Sequence, residues 1–217
     1  MNKFTLVAAS AALLLAACGE TTTPETTNAA APATEAVTPA KPVVADGTYT
    51  IDPAGSEVVW IGKNVTREHK GTISLANGTV SVAGGTLVGG TIVVDMTTMT
   101  NSDLDAESGA NLLGDLAGDD FFSVANHPTA TFEIVDFTPN EAGGTAKGNL
   151  TIKGVTNTQT IDLSMNTSEN GLELRGMMAV DRTKFGIQYG SGSFFENLGD
   201  EAIDDMFKLG FFVLAKQ

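Results

Sequence analysis

The chain has 217 residues, a single cysteine and a formal net charge of −14. That length accommodates one domain with a sizeable core. The lone cysteine excludes an internal disulfide and a cysteine-rich metal site, and the acidity, with no run of Lys or Arg, argues against a nucleic-acid partner.

Met1 to Lys3 gives a short positive start, and Phe4 to Ala17 is apolar and uncharged. This is the pattern of a secretory signal, too short to span a membrane as a helix, which needs about 20 residues. It ends in Leu15-Ala16-Ala17-Cys18, which resembles a bacterial lipobox. We therefore expect residues 1–17 to be a lipoprotein signal peptide, with cleavage before Cys18 and lipidation at Cys18. Several acyl chains hold a protein on a membrane where one does not. Gly19 follows the cysteine, where an Asp favours inner-membrane retention in many enterobacterial lipoproteins, so the expected location is the bacterial cell envelope, at the outer membrane facing the periplasm. Residues 18–46 are rich in Thr, Ala, Pro and Glu, with no apolar periodicity to drive ordering. They read as a lipid-anchored disordered tether with a reach on the order of 30 Å. Residues 47–217 form the domain.

Strand-like runs appear at Thr48–Ile51 and Glu57–Lys63, split by Asp52-Pro53-Ala54-Gly55, and at Arg67–Leu75. Asn77-Gly78 predicts a hairpin turn before Thr79–Val82. Gly84-Gly85 precedes a longer strand, Thr86–Met96, whose Gly89-Gly90 pair predicts a bend or bulge. Between Ser102 and Phe122 the spacing of Leu112, Leu113 and Leu116 predicts one short helix, with Asp119 as the cap of a second helical turn ending at Phe122. Strands resume at Thr129–Phe137, Gly144–Lys153, Thr160–Thr167 and Leu172–Val180, the last two joined by a hairpin at Asn170-Gly171. A long loop with Phe185, Tyr189, Phe194 and Phe195 follows, and Phe207, Leu209, Phe211 and Val213 give the last strand one apolar face. The fold class is all-β: an antiparallel barrel or sandwich of about eight strands with one or two short helices.

Polar chemistry is sparse. His69 and His127 are far apart, and Asp103-Leu104-Asp105-Ala106-Glu107 departs from a calcium loop at Ser108 and Gly114. We expect no metal, no cofactor and no catalytic residue. Gly190-Ser191-Gly192-Ser193 is neither a nucleophile elbow nor a dinucleotide loop. What remains is apolar. The candidate ligand-binding residues are Trp60, Phe121, Phe122, Phe132, Ile134, Leu163, Met165, Phe185, Phe194, Phe195 and Phe211. An eight-strand barrel either fills with side chains or holds one small ligand, and the sequence pattern leaves both open.

Five motifs in order carry a resemblance. They are Thr50-Ile51-Asp52-Pro53 with Trp60; His69-Lys70-Gly71-Thr72; Asp119-Asp120-Phe121-Phe122 with His127-Pro128-Thr129-Ala130-Thr131-Phe132; Gly148 to Thr156; and Asp181-Arg182-Thr183 through Gly190-Ser191-Gly192 to Leu198–Ile203. Together they resemble the YceI-like family of bacterial envelope proteins over nearly all of Thr48–Leu214, departing from its pattern at Gly55 and Asn157-Thr158. The resemblance implies a lipocalin-like barrel that binds long-chain amphiphiles such as polyisoprenoids, isoprenoid quinones or fatty-acid derivatives. The expected function is lipid binding or carriage without catalysis. The alternative is a non-catalytic structural or stress-response envelope lipoprotein with a packed barrel. Expected partners are a lipid and, through Cys18, a membrane, with a homodimer left open and nucleic acid excluded.

Overall fold

The computed structural model describes residues 44–141 and 143–217. The signal segment, Cys18 and residues 19–43 of the expected tether lie outside the described residues. Among the described residues there are nine strands, β1 (Gly47–Ile51), β2 (Glu57–Lys63), β3 (Glu68–Ala83), β4 (Thr86–Asp95), β5 (Thr129–Asn140), β6 (Gly143–Ile152), β7 (Val155–Ser168), β8 (Gly171–Asp181) and β9 (Met206–Lys216), with one α-helix, α1 (Ala106–Ala117), between β4 and β5.

The strands form a closed ring. Hydrogen bonding runs from β3 through β4, β5, β6, β7, β8 and β9 to β2, which returns to β3. All pairings are antiparallel. β1 shares the slot of β2. It pairs with Thr79–Val82 of β3 and with Ala215 and Lys216 of β9, whereas β2 pairs with the other half of each. The fold is thus an eight-strand, lipocalin-like antiparallel barrel whose first strand is broken in two. Pro53, which has no N–H for a ladder, explains the break. Around it Asp52 N–H donates to Leu214 O (2.8 Å), and Leu214 N–H donates to Ser56 Oγ (2.9 Å), so the interruption leaves the barrel wall bonded. Outward positions are polar, as in Thr145, Lys147, Asn149 and Thr151 of β6, the reverse of a barrel that faces lipid along its sides.

Three bulges set which side chains face inward. Register shifts fall between Leu75 and Asn77 in β3 and between Ile134 and Asp136 in β5; a third, between Ser81 and Val82, pairs Gly89 with Ser81 but Leu87 with Val82, leaving Val88 of β4 unpaired. Each adds a residue and swaps the parity of the alternation. In β3 the inward set passes from Ile73 and Leu75 to Val80 and Val82, and in β5 from Phe132 and Ile134 to Phe137. The bulge predicted at Gly89-Gly90 falls beside the pair, at Val88, and both glycines are in register with β3. The predicted hairpin at Asn77-Gly78 is absent: β3 runs straight through it, with Asn77 opposite Val93 and Gly78 opposite Ile92. Gly78 is needed there because a Cβ would lie 2.4 Å from Thr91 O and 2.6 Å from Ile51 Cδ1. The turn comes at Gly84-Gly85, both with positive φ (+60° and +73°), the conformation a two-residue hairpin favours. The hairpin at Asn170-Gly171 is present, with Ser168 opposite Gly171.

The two poles of the barrel differ. One carries the tight turns after β3, β5 and β7 and the start of β1. The other carries the loops after β2, β4, β6 and β8. At the tight-turn pole Tyr49, Ile51, Val80, Val82, Leu87, Ala146, Leu172 and Ala215 are buried and fill the interior. At the loop pole, α1 begins at Asp105, whose carboxylate accepts from the Glu107 and Ser108 N–H groups (both 3.1 Å). The predicted second helical turn is absent. Asp119–Phe122 is a non-helical turn, in which Asp119 accepts from the Ser123 hydroxyl instead of capping a helix.

Two local devices hold the loop pole. The strap 98–103 runs along β3: Thr100 N–H donates to Thr72 O (2.9 Å), Ser102 N–H to Lys70 O (3.0 Å) and Lys70 N–H to Asp103 Oδ1 (2.8 Å). Thr100 O passes over Gly71 to accept from Trp60 Nε1 (3.0 Å), and a Cβ on Gly71 would sit 1.8 Å from that oxygen. The second device is Arg182, buried at 5% exposure. Its Nε donates to Asp204 O (2.9 Å), Nη1 to Ile187 O (3.0 Å) and Tyr189 O (2.8 Å), and Nη2 to Ile203 O (2.9 Å). One guanidinium thus ties both ends of the loop 182–205 together, with the Asp205 carboxylate 3.7 Å away as its counter-charge. Hydroxyls of Ser191 and Ser193, with Arg182 nearby, hold Asp205 below its ordinary pKa of 3.8.

Two outcomes follow from these devices. Gly71→Ala displaces the strap and strands the indole N–H, costing about 2–4 kcal/mol; urea unfolding measures the loss, and an unchanged midpoint refutes the role given to Gly71. Because the folded-state pKa of Asp205 is depressed, its contribution is complete at neutral pH and is lost as pH falls below the ordinary value of 3.8. The stability gap between wild type and Asp205→Asn is therefore widest near pH 7 and closes under acid, as urea titrations at stepped pH will show.

Candidate functional site

Above the packed pole the barrel is hollow. A cavity of about 190 Å³ lies in the loop-side half, walled almost wholly by apolar side chains from every strand but β1. A barrel packed to ordinary protein density has few voids larger than a water molecule, so this is a built space. The packed-barrel expectation is corrected on this point.

The space exists because two inward positions beside its wall are glycine, Gly148 of β6 and Gly176 of β8. The Phe132 ring lies over Gly148, where a Cβ would be 2.4 Å from Cζ, and the Phe211 ring lies over Gly176 of β8, with a Cβ 2.5 Å from Cζ. Glycine lets these rings lie along the wall instead of crossing the lumen. Met96, Met99 and Met178 also line the cavity. Their unbranched thioether chains re-pack easily, which allows widening from 190 Å³ toward the roughly 300–1,000 Å³ usual for ligand pockets.

Of the residues singled out in the sequence, Trp60, Phe121, Phe122, Phe132, Ile134, Leu163 and Phe211 line this cavity. Four do not. Met165 is buried in the packed core beyond the lining. Phe185, fully buried, sits in the single turn Arg182–Phe185, away from the cavity wall. Phe194 and Phe195 are each 50% exposed on the loop surface. A glycine-rich loop held by its backbone carbonyls has no need to bury its aromatics. Sequence reasoning missed Ile92, Val94 and Phe207 in the wall and Met99 and Leu116 at the loop side. A bend or bulge was expected in β4, but no inward face was assigned to it, and the bulge at Val88 is what puts Ile92 and Val94 on the inner face.

Polar groups touch the cavity only at its loop side. Lys63 is paired with Glu68 at 2.6 Å, which raises the ammonium pKa and lowers that of the carboxylate. Burial draws Arg182 below its ordinary value while the charges of Asp205, Asp181 and Asp204 oppose the shift. Its N–H groups already serve four carbonyls. His69 and Asp103 do pair, at 2.8 Å, but outside the cavity lining, where Asp103 also accepts from Lys70 N–H and from Asn101 Nδ2 (2.8 Å each). That pair fastens the strap. Among the described residues no cluster of three or more His, Cys, Asp or Glu could hold a metal ion. The arrangement offers dispersion and apolar burial to a ligand, worth about 25 cal/mol per Å².

Solved structures share this architecture. BcnA of Burkholderia cenocepacia superposes with a TM-score of 0.61 at 21% identity, covering 76% of this chain and 99% of that one. A polyisoprenoid-binding domain from Saccharophagus degradans gives 0.57 at 15% identity, covering 77% and 97%. The Campylobacter jejuni YCEI protein gives 0.50 at 14%, covering 72% and 84%. At these identities the likeness concerns the fold. No curated protein sequence matches the chain. The YceI-like domain model matches residues 49–214, from the second half of β1 to the inner end of β9. The chain therefore belongs to the YceI-like domain family.

Proposed function

We propose that this protein binds and carries a long-chain amphiphile, its apolar chain inside the barrel and its head at the loop pole, without catalysing a reaction on it. The hollow apolar cavity carries the reading, because such a space selects ligands by apolar length. The polyisoprenoid-binding domain of Saccharophagus degradans, which has the same fold, supports an isoprenoid as the chain. Quinones and fatty-acid derivatives fit the same wall. We place the protein in the bacterial envelope, held by lipid on Cys18 and most simply at the outer membrane facing the periplasm. Cys18 follows an apolar signal segment and precedes a Thr-, Ala- and Pro-rich stretch.

Native mass spectrometry of residues 40–217, which contain the complete ring of strands, tests this after incubation with ubiquinone, undecaprenyl phosphate and palmitic acid. A retained ligand mass is the expected result. A protein that stays apo with all three overturns the proposal. Across a series of n-alkyl probes, affinity rises by up to about 0.8 kcal/mol per CH₂ and levels off once the cavity is full. Ile92→Trp, which fills the wall at β4, removes the retained mass while holding or raising thermal stability. Undiminished ligand retention in that variant would place the ligand elsewhere.

A further inference from the structure

Large apolar side chains left exposed are not spread evenly. Val65 (61%), Val155 (40%), Tyr189 (55%), Phe194 (50%), Phe195 (50%) and Met206 (48%) all lie at the loop pole, and among the described residues every exposed aromatic side chain is there. The others, Val88, Val135 and Met177, stand on the outer wall, the first two at bulges. At this pole the loop after β2 is joined to the loop 182–205. Val65 N–H donates to Ala202 O (3.2 Å), Asn64 pairs with Ile203, and Ser193 Oγ donates to Asp205 Oδ2 (2.6 Å). The surface is continuous with the cavity: the Tyr189 ring packs on Phe121, a wall residue, at 5.4 Å between centroids, and Met206 adjoins the wall residue Phe207.

We propose that this pole docks on the surface of a lipid bilayer, its aromatic and aliphatic rim entering the boundary between headgroups and acyl chains. A lipid chain then passes between bilayer and cavity without crossing water. The inference rests on the lipid-carrying reading above. Three observations select a bilayer as the occupant. The rim lies at the same pole as the cavity's polar lining residues Lys63, Arg182 and Asp204 and touches its wall through Tyr189 and Phe121, so whatever covers it lies against that end of the cavity. Tyr and Phe at a wet rim match the residues that sit well at headgroup level. Glu196, Asp200, Glu201 and Asp204 flank the rim on the same loop, which disfavours an anionic surface and selects a zwitterionic one held by apolar contact.

The chain outside the structure allows this orientation. β1 begins at the opposite pole, where Gly47 pairs with Val82 beside the Gly84-Gly85 turn. β3, the longest strand, has 16 residues, which at the usual rise and tilt makes the barrel roughly 40 Å tall. From Cys18 to Val44 is 44 − 18 = 26 residues, about 90 Å when extended. A domain tied at its far pole can therefore turn its mouth to the bilayer that holds Cys18.

Trp60 is the only tryptophan and lines the cavity, so quenching by a quinone reports loading directly. Residues 40–217 are mixed either with a water-soluble short-chain quinone or with phosphatidylcholine vesicles carrying ubiquinone. The double variant Phe194→Asp/Phe195→Asp, and separately Val65→Glu on another loop, keep short-chain affinity within about twofold of wild type. Both slow loading from vesicles, the double variant at least tenfold, and vesicles with one-third phosphatidylglycerol load the wild type more slowly than pure phosphatidylcholine. Variants that load from vesicles at the wild-type rate, or a wild type that does not float with phosphatidylcholine vesicles, overturn the docking proposal and leave carriage standing. A wild type that fails to bind the short-chain quinone overturns the carriage reading, and docking with it.

Discussion

Closure of the sheet governs everything else in this molecule. Once the strands form a ring, no backbone edge remains to be capped, and the interior is fixed to whatever the inward-facing residues occupy. Volume is then decided residue by residue. Large side chains crowd the tight-turn pole, while Gly148 and Gly176 let Phe132 and Phe211 lie against the wall of the other half. A cavity arises here without any dedicated insertion, by choice of small residues on β6 and β8. The polar work is done at the loop pole, where Arg182 and the strap over Gly71 hold two long loops in place.

Much of this was legible in the amino-acid order. Alternation in β7, β8 and β9 places Ile161, Leu163, Met165, Leu172, Leu174, Val180 and Val213 inward, as the structure does. These strands have no bulge, so period two holds along their whole length. β3, β4 and β5 each contain one extra residue, and parity reading fails beyond it. Asn77-Gly78 shows why a strong local signal can mislead. Its glycine serves a close approach inside a long strand, and the same dipeptide would suit a turn just as well.

The site was half legible for a related reason. Trp60, Phe121, Phe122 and Phe132 stand out by size and lie in the wall. Ile92 and Val94 do not stand out, because only the bulge beside Gly89 turns them inward. Phe185, Phe194 and Phe195 sit within a few residues of one another yet end in opposite environments, one fully buried and two half exposed. Nothing in a stretch of glycine and aromatic residues says which ring will be covered. That is settled by Arg182, whose four carbonyl acceptors fix the loop's path, and a single arginine at the end of an apolar strand gives little hint of that reach.

The shared slot of β1 and β2 also bears on how the chain reaches its native state. Both pieces bond to β9, so the first and last strands of the domain are direct neighbours: Thr50 faces Lys216, and Val58 faces Phe211. Joining them closes a loop that spans almost the whole domain, the costliest pairing in conformational entropy and the kind that slows folding. A chain emerging N-terminus first holds β2 and β3 long before their last partner appears. The ring stays open until Met206–Lys216 arrives, which ties the last step of folding to the pairing of that strand with both of its neighbours, β2 and β8.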